Sequence, residues 1–216
     1  MDLTFVDVFQ PQFAHWVAEL KPSRLIEIGA GTGHLSKSLA GGAFDITAIE
    51  PSPGMHAVAK TVLAATNVSL IHCSSFELPV SCRFDLALSH LVAHVVGDLP
   101  GFLGSVSAHL EEGGHFLFSI PHPCFYNSYK QLFGDEYNYM SVLEKTVSFT
   151  LTKDPSNVIS GVPYHHRPIS SYIDAVVKAG FAIDGFHEIY PDQEIQEKYG
   201  NLWESPRYCV FRCRKL

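Results

Sequence analysis

Three glycines at alternate positions, Gly29, Gly31 and Gly33, follow directly on the apolar run Leu25-Ile-Glu-Ile. A strand that runs into such a turn and then into a helix lets backbone come very close to a ligand. Glycine permits both positive φ and that approach, and the helix start at Gly33 supplies free N–H groups and a partly positive end. Nucleotide-like ligands suit a turn of this kind, although glycines also serve plain tight turns. Two acidic positions sharpen the reading. Glu27 stands two residues before the first glycine, and Glu50 ends the next apolar run, where a carboxylate accepts hydrogen bonds from two ribose hydroxyls. A dinucleotide fingerprint, G-x-G-x-x-G, would put glycine at position 34, where this chain has His34, so no pyrophosphate seat is evident.

Around that turn, short apolar runs alternate with helical patterns. The runs predict strands over 24–28, 45–49, 68–72, 84–89 and 115–120, with helices over 33–39, 53–64 and 99–110. Alternation of this kind gives a mostly parallel sheet covered by helices on both faces. Residues 3–20 carry Phe5, Phe9, Phe13, Trp16, Val17 and Leu20 at helical spacing, which predicts a helical cap over 1–22 that Pro22 ends. Gly113-Gly114 reads as a helix stop and strand start. Over 121–167 the rhythm breaks into aromatic-rich sequence with a strand at 145–151, read as an insertion or lid. A helix over 170–179 and strands over 181–189 and 207–212 follow, the last two as an antiparallel hairpin at the sheet edge.

With 216 residues, a single domain spanning 1–216 buries roughly 70% of its unfolded surface and needs no disulfide or structural metal. The formal charge of −7, with no basic run before Arg212, Arg214 and Lys215, gives no electrostatic footprint for a polyanion and disfavours a nucleic-acid partner. Five scattered cysteines without a Cys-x-x-Cys pair read as reduced thiols. No stretch approaches 18 continuous apolar residues, and Asp2 and Asp7 stand where a signal peptide would carry basic charge, so a cytoplasmic protein with no membrane partner is expected.

Glu27-Ile-Gly29-Ala-Gly31-Thr-Gly33 resembles the first motif of class I S-adenosylmethionine methyltransferases, and Glu50-Pro51-Ser52 their second. Cys73-Ser-Ser-Phe-Glu-Leu-Pro79 is similar to the family's third-strand segment and Arg83-Phe-Asp85-Leu-Ala-Leu-Ser89-His90 to its fourth. The resemblance implies a Rossmann-like, seven-stranded α/β domain with an antiparallel terminal strand, and S-adenosyl-L-methionine as cofactor. It assigns the methionine part to Glu27, Gly29, Ala30, Gly31 and Gly33, the ribose to Glu50, and the adenine border to Pro51, Ser52 and Met55. Many members place an Asp after strand three to meet the adenine amino group; here Ser74, Ser75 and Phe76 stand there, so a hydroxyl or a backbone carbonyl takes that contact. Ser89, His90 and His94 complete the expected cofactor set. Asp85 is read as fixing local backbone.

Methyl transfer needs the acceptor aligned with the methyl group and, for a hydroxyl, a base. Histidine titrates near neutrality, and three groups fall past carboxyl ends of strands: His90 with His94, His122, and His165 with His166. Pro121 and Pro123 restrict the backbone beside His122, which ranks it first, with His166 and His165 next because Tyr164-His-His-Arg-Pro168 resembles a segment of small-molecule methyltransferases that packs over the acceptor pocket. Phe125, Tyr126 and Tyr164 are expected to line that pocket. His90 and His94 have i, i+4 spacing, but no Asp, Glu or Cys completes a metal signature, and no metal is expected. The reading is O-methylation of a small molecule, against N-methylation of an amine or heteroaromatic nitrogen, a non-catalytic ligand-binding protein of the same fold, and a nicotinamide oxidoreductase, which the missing glycine at 34 opposes.

Overall fold

The computed structural model describes residues 5–125, 129–151, 154–200 and 202–216. A π-helical turn, Phe5–Phe9, leads into α1, Gln10–Leu20, which ends before Pro22 because Lys21 turns left-handed at φ 47°. Then come β1 (Arg24–Ile28), α2 (His34–Leu39), β2 (Asp45–Ile49), α3 (Pro53–Leu63), β3 (Ser69–Ile71), β4 (Phe84–His90), α4 (Leu99–His109) and β5 (Leu110–Pro121). After β5 the chain forms α5 (Tyr129–Phe133), a 3-10 turn (Gly134–Glu136), and the hairpin β6 (Leu143–Leu151) and β7 (Asp154–His166). It closes with α6 (Ile169–Lys178), β8 (Phe181–Ile189), α7 (Gln193–Tyr199) and β9 (Tyr208–Lys215).

The main sheet has seven strands in the order β3-β2-β1-β4-β5-β9-β8, with β6-β7 as a separate pair. All neighbours from β3 to β5 pair parallel, while β9 is antiparallel to both β5 and β8. This is the expected Rossmann-like sheet, and the last strand is antiparallel, but the hairpin is not simply appended: β9 slots between β5 and β8, which leaves β8 as the edge. On one face Phe13, Trp16, Leu35 and Leu39 of α1 and α2 pack on Leu25, Leu86, Leu88 and Leu117. On the other, Phe102, Val106, Tyr172 and Val176 of α4 and α6 pack on Ile26, Ala87, Phe116 and Phe118. The strand order reverses between β1 and β4, and open α/β sheets bind ligands outside the carboxyl ends of strands at such a switch point.

Two expectations are corrected. Gly113-Gly114 does not separate helix from strand: β5 already pairs at Leu110, opposite Phe84, and the register then shifts so that Leu86 faces His115. Gly113, at φ 76°, absorbs the extra residues as a bulge. The strand at 145–151 is longer and has a partner, β7, which pairs Thr146 with Pro163. The prolines and Gly161 within β7 hide its alternation.

Candidate functional site

Each glycine of the turn is required for a different reason. At Gly29 (φ 73°) a Cβ would lie 2.5 Å from Val92 Cγ2, so only glycine lets the segment after β4 pack on the turn. At Gly33 (φ 79°) a Cβ would meet Leu63 at 3.1 Å and Ala59 at 3.3 Å, the close face of α3. At Gly31 (φ 55°) a Cβ would meet nothing within 4 Å: the turn is open there. The Gly29 and Ala30 N–H groups donate to Ile49 O, tying the turn to β2.

Both acidic residues are buried and act on this turn. Glu50 accepts from the Gly31 N–H at 2.7 Å with Oε2 and from the Ser52 N–H at 2.8 Å with Oε1, so one carboxylate joins the turn to the start of α3. Ser52 caps α3, its hydroxyl accepting from the Met55 N–H at 3.4 Å, with Pro53 next in line. Glu27 accepts from the Ser36 N–H at 2.9 Å and from the Ser36 hydroxyl. Gly33 has no side chain with which to cap α2, and Glu27 supplies the missing acceptor from the strand beneath.

Burial pushes the Glu27 carboxyl up to about 7; the Ser36 bonds oppose the shift and the nearby Glu50 charge adds to it. A carboxyl with a raised folded-state pKa favours the fold most below its unfolded value, and that advantage is lost as pH rises from 4.5 towards 7. Glu27→Gln removes this titration. In urea denaturation of the ligand-free protein, the stability of wild type relative to the variant is expected to fall by about 3 kcal/mol between pH 4.5 and 7.5. A constant difference would mean that Glu27 ionises normally.

On the far side of β2, Ser74 donates to Glu77 Oε2 through both its N–H (2.8 Å) and its hydroxyl (2.7 Å). The buried Ser75 hydroxyl lies 2.7 Å from Ser105 Oγ, and Ser75 O lies 2.9 Å from His109 Nε2. Both serines are thus engaged within the protein, whereas Phe76 is exposed. Pro51 O lies 3.0 Å from His72 Nε2. Asp85 holds the start of β1, accepting from the Ser23 and Arg24 N–H groups at the opposite end of the sheet.

Past β4 the chain turns sharply. The Ser89 hydroxyl donates to Ile28 O at 3.1 Å, and His90 Nδ1 lies 2.7 Å from Ser119 Oγ with its ring against Phe5, Phe9 and Phe13. Leu91 adopts φ 57°, a left-handed conformation that costs a non-glycine residue about 1–2 kcal/mol. Its N–H donates to both the carbonyl and the hydroxyl of Ser119. The turn sets Val92 on Gly29 and buries His94, whose Nδ1 has no hydrogen-bond partner among the described residues. Burial first, then the His90, Arg167 and His165 charges, hold the His94 imidazole down at about 3. The buried Arg167 guanidinium clamps this segment, donating to Ala93 O, Val96 O and Gly97 O, while the His165 N–H donates to His94 O at 2.8 Å.

Between this segment, the ends of β5 and β9, and the insertion lies a cleft of about 390 Å³ whose walls include Leu91, His94, Pro121, Tyr164 and Tyr208. The His94 and Tyr164 rings stand 4.9 Å apart. The three histidines ranked as bases lie elsewhere. His122 is buried with Nδ1 accepting from the Cys124 N–H and Nε2 at 3.1 Å from Glu188, so both ring nitrogens are engaged; exposed Phe125 packs on it. His166 is enclosed by Tyr129, Phe133 and Tyr137 in the insertion's own core, with Nε2 donating to Tyr139 O. His165 Nδ1 lies 3.7 Å from Glu144. Burial lowers the pKa of all three. Tyr126 lies outside the described residues. Sequence reasoning passed over Arg167, Ser36 and Leu91; only the Arg-Pro step before α6 singles out the first, and nothing local marks the other two.

A family model described as a methyltransferase domain matches residues 9–182. Curated relatives include a ubiquinone biosynthesis O-methyltransferase of Paramagnetospirillum magneticum, 35% identical over 95 residues (43% of this chain, 38% of that protein). A malonyl-[acyl-carrier protein] O-methyltransferase of Serratia marcescens is 32% identical over 96 residues (44% and 37%). The chain thus matches roughly two-fifths of the length of either relative. Among solved structures, an S-adenosylmethionine-dependent methyltransferase from Clostridium acetobutylicum superposes with TM-score 0.68 at 16% identity, covering 95% of this chain and 90% of that one. Burkholderia thailandensis 1,6-didemethyltoxoflavin-N1-methyltransferase, solved with S-adenosylhomocysteine, superposes with TM-score 0.63 at 17% identity, covering 99% and 81%. At these identities the structures establish the shared fold.

Proposed function

The chain belongs to the methyltransferase-domain family, and from that premise we propose that it transfers the methyl group of S-adenosylmethionine to a hydroxyl oxygen of a small molecule. The observation that carries the cofactor half of this reading is the open space over Gly31 beside the Glu50 carboxylate. A ligand fills that space without displacing a side chain, and Glu50 keeps lone pairs for ribose hydroxyls, since a carboxylate has about four and two are in use. Gly29, Ala30 and Gly33 shape the turn, and Glu27 holds α2 beneath it. On the adenine side the exposed Phe76 ring, Pro51 and Met55 offer apolar surface, while the Ser74 and Ser75 hydroxyls are engaged elsewhere.

When bound, the cofactor supplies an electrophilic methyl group: a carbon–oxygen bond forms as the carbon–sulfur bond breaks, with the bonding pair staying on sulfur. The acceptor's proton needs a base, and oxygen is favoured over nitrogen because an imidazole stands in the cleft wall. His94 is the imidazole in the cleft wall among the described residues and is neutral at neutral pH. Its Nδ1 is buried without a hydrogen-bond partner among those residues, so the ring meets the acceptor's proton through its cleft-facing edge. A pKa held at about 3 makes it a weak base that passes the proton on rather than storing it. Leu91 and Arg167 position His94, one by turning the chain and the other by fixing the carbonyls around it. Two curated relatives are named as O-methyltransferases and a structural neighbour as an N1-methyltransferase, so the choice of oxygen rests on the cleft. His122, His165 and His166 take supporting places in this scheme, orienting the end of β5 and the insertion.

Calorimetric titration with S-adenosylmethionine, S-adenosylhomocysteine and NAD tests the premise. Both sulfur compounds are expected to bind and NAD to give no heat; preference for NAD, or indifference to all three, would end the reading.

A further inference from the structure

The cleft beside His94 has a composition that selects among acceptors. Leu91, Val95, Leu132 and Val162 give it apolar walls, and its polar groups, His94 and Tyr164 among them, are neutral; no Asp, Glu, Lys or Arg lines it among the described residues. The charged groups nearby are engaged with protein atoms: Lys145, paired with Tyr164 across the β6–β7 hairpin, donates its ammonium to Leu132 O at 2.5 Å. Arg167 has both terminal nitrogens on backbone carbonyls of the segment after β4. Glu188 faces His122, and Glu144 stands exposed beside His165.

We propose that this cleft takes an uncharged, largely apolar acceptor, such as a hydroxylated ring, and rejects carboxylates and ammonium ions in favour of the same ring without the charge. The inference rests on the proposed methyl transfer for its meaning, but the selectivity belongs to the cleft alone. An acceptor bearing a carboxylate or an ammonium group enters at the cost of its hydration shell and finds no opposite charge in exchange. A neutral ring gains about 25 cal/mol for each Å² of apolar surface removed from water. The volume, 390 Å³, falls in the lower part of the range of small-molecule sites and suits one or two fused rings. Tyr164, held in the aromatic core of the insertion with Tyr129 and Phe133, presents a ring edge or face to such a ligand.

The test compares 2-naphthol with 6-hydroxy-2-naphthoate and 6-(aminomethyl)-2-naphthol, three hydroxylated probes with one ring system and different charge, binding to the intact protein with and without saturating S-adenosylhomocysteine. 2-Naphthol is expected to bind at least roughly 30-fold more tightly than either charged probe. Val162→Lys puts an ammonium on the β7 wall of the cleft, outside the glycine turn. It is expected to raise affinity for the naphthoate by about 10-fold or more while leaving S-adenosylhomocysteine binding unchanged. Equal or tighter binding of a charged probe by the wild type, no binding of 2-naphthol, or a folded Val162→Lys protein with unaltered naphthoate affinity each overturns the proposal. Failure to bind S-adenosylhomocysteine alongside the expected naphthol selectivity would instead sink the methyltransferase reading and leave the cleft's preference standing.

Discussion

Glu50→Ala is expected to weaken binding of both S-adenosylmethionine and S-adenosylhomocysteine by about 10²-fold or more, measured by calorimetry, with the fold retained. Two effects act together. The carboxylate's remaining lone pairs are lost to the ribose hydroxyls, and hydrogen bonds to a charged group contribute about 1.5–3 kcal/mol each. Two such bonds correspond to roughly 10²- to 10⁴-fold in affinity. The Gly31 and Ser52 N–H groups, which Glu50 holds at 2.7 and 2.8 Å, also lose their acceptor, so the turn is no longer fixed against the start of α3. Glu50→Gln separates these contributions. Its single carbonyl oxygen still accepts, but the amide nitrogen faces a second N–H, so an intermediate loss is expected. An unchanged dissociation constant in Glu50→Ala, with circular dichroism like wild type, would show that the cofactor does not depend on this carboxylate.

The place of Glu50 beside the glycine turn was legible from sequence because everything that fixes it is local. An apolar strand, a glycine turn and an acidic residue at the end of the next strand lie within 26 residues, from Leu25 to Glu50, and the parallel pairing of β1 with β2 puts the last of these beside the turn in register, Ile28 opposite Ile49. Elements whose signal is periodic were found for the same reason, down to the bounds of β1, β2 and β8. What failed needed partners distant in sequence. β7 was missed because Pro155, Gly161 and Pro163 interrupt its alternation, and its existence depends on pairing with β6. The position of β9 between β5 and β8 follows from packing, not from its own residues. α7 was missed although its ends are marked, Asp192 Oδ1 accepting from the Ile195 N–H and Gly200 turning left-handed. Reading that 7-residue helix needed the N-cap and C-cap signals to outweigh its weak apolar face.

The histidines show the limit most sharply. Flanking prolines predict a fixed His122 ring, and the ring is fixed, but by Glu188, 66 residues away, and by the Cys124 N–H. Those bonds occupy the nitrogens that a base needs. His94 stands among the strand-end histidines and in the expected cofactor set, but nothing local ranks it above His122. What isolates its Nδ1 is the left-handed Leu91, the Arg167 clamp and the insertion folded over it, all tertiary facts.

His94→Ala is therefore expected to lower kcat for a hydroxylated acceptor by about 10²-fold, the low end of the range for a positioned base because its pKa lies well below the working pH, with S-adenosylhomocysteine affinity kept within about 3-fold because the turn and Glu50 are untouched. Since truncation also opens space beside Tyr164, His94→Phe serves as a second variant that fills the volume without a basic nitrogen; the same loss in both assigns the effect to the nitrogen. His122→Ala is expected to reduce stability more than rate. The pH profile gives an independent readout. An imidazole held down at about 3 by burial and by the His90, Arg167 and His165 charges is deprotonated throughout the range from pH 5 to 8. Its lowered pKa moves the acid limb of kcat/KM down, so the profile should be flat through 6.5, where an ordinary histidine would halve the rate. A limb near 6.5 that vanishes in His122→Ala and persists in His94→Ala would transfer the role to His122. Full activity in both His94 variants would mean that the acceptor gives up no proton in the slow step, as a neutral nitrogen does, and the oxygen assignment would fall while the cofactor site stood.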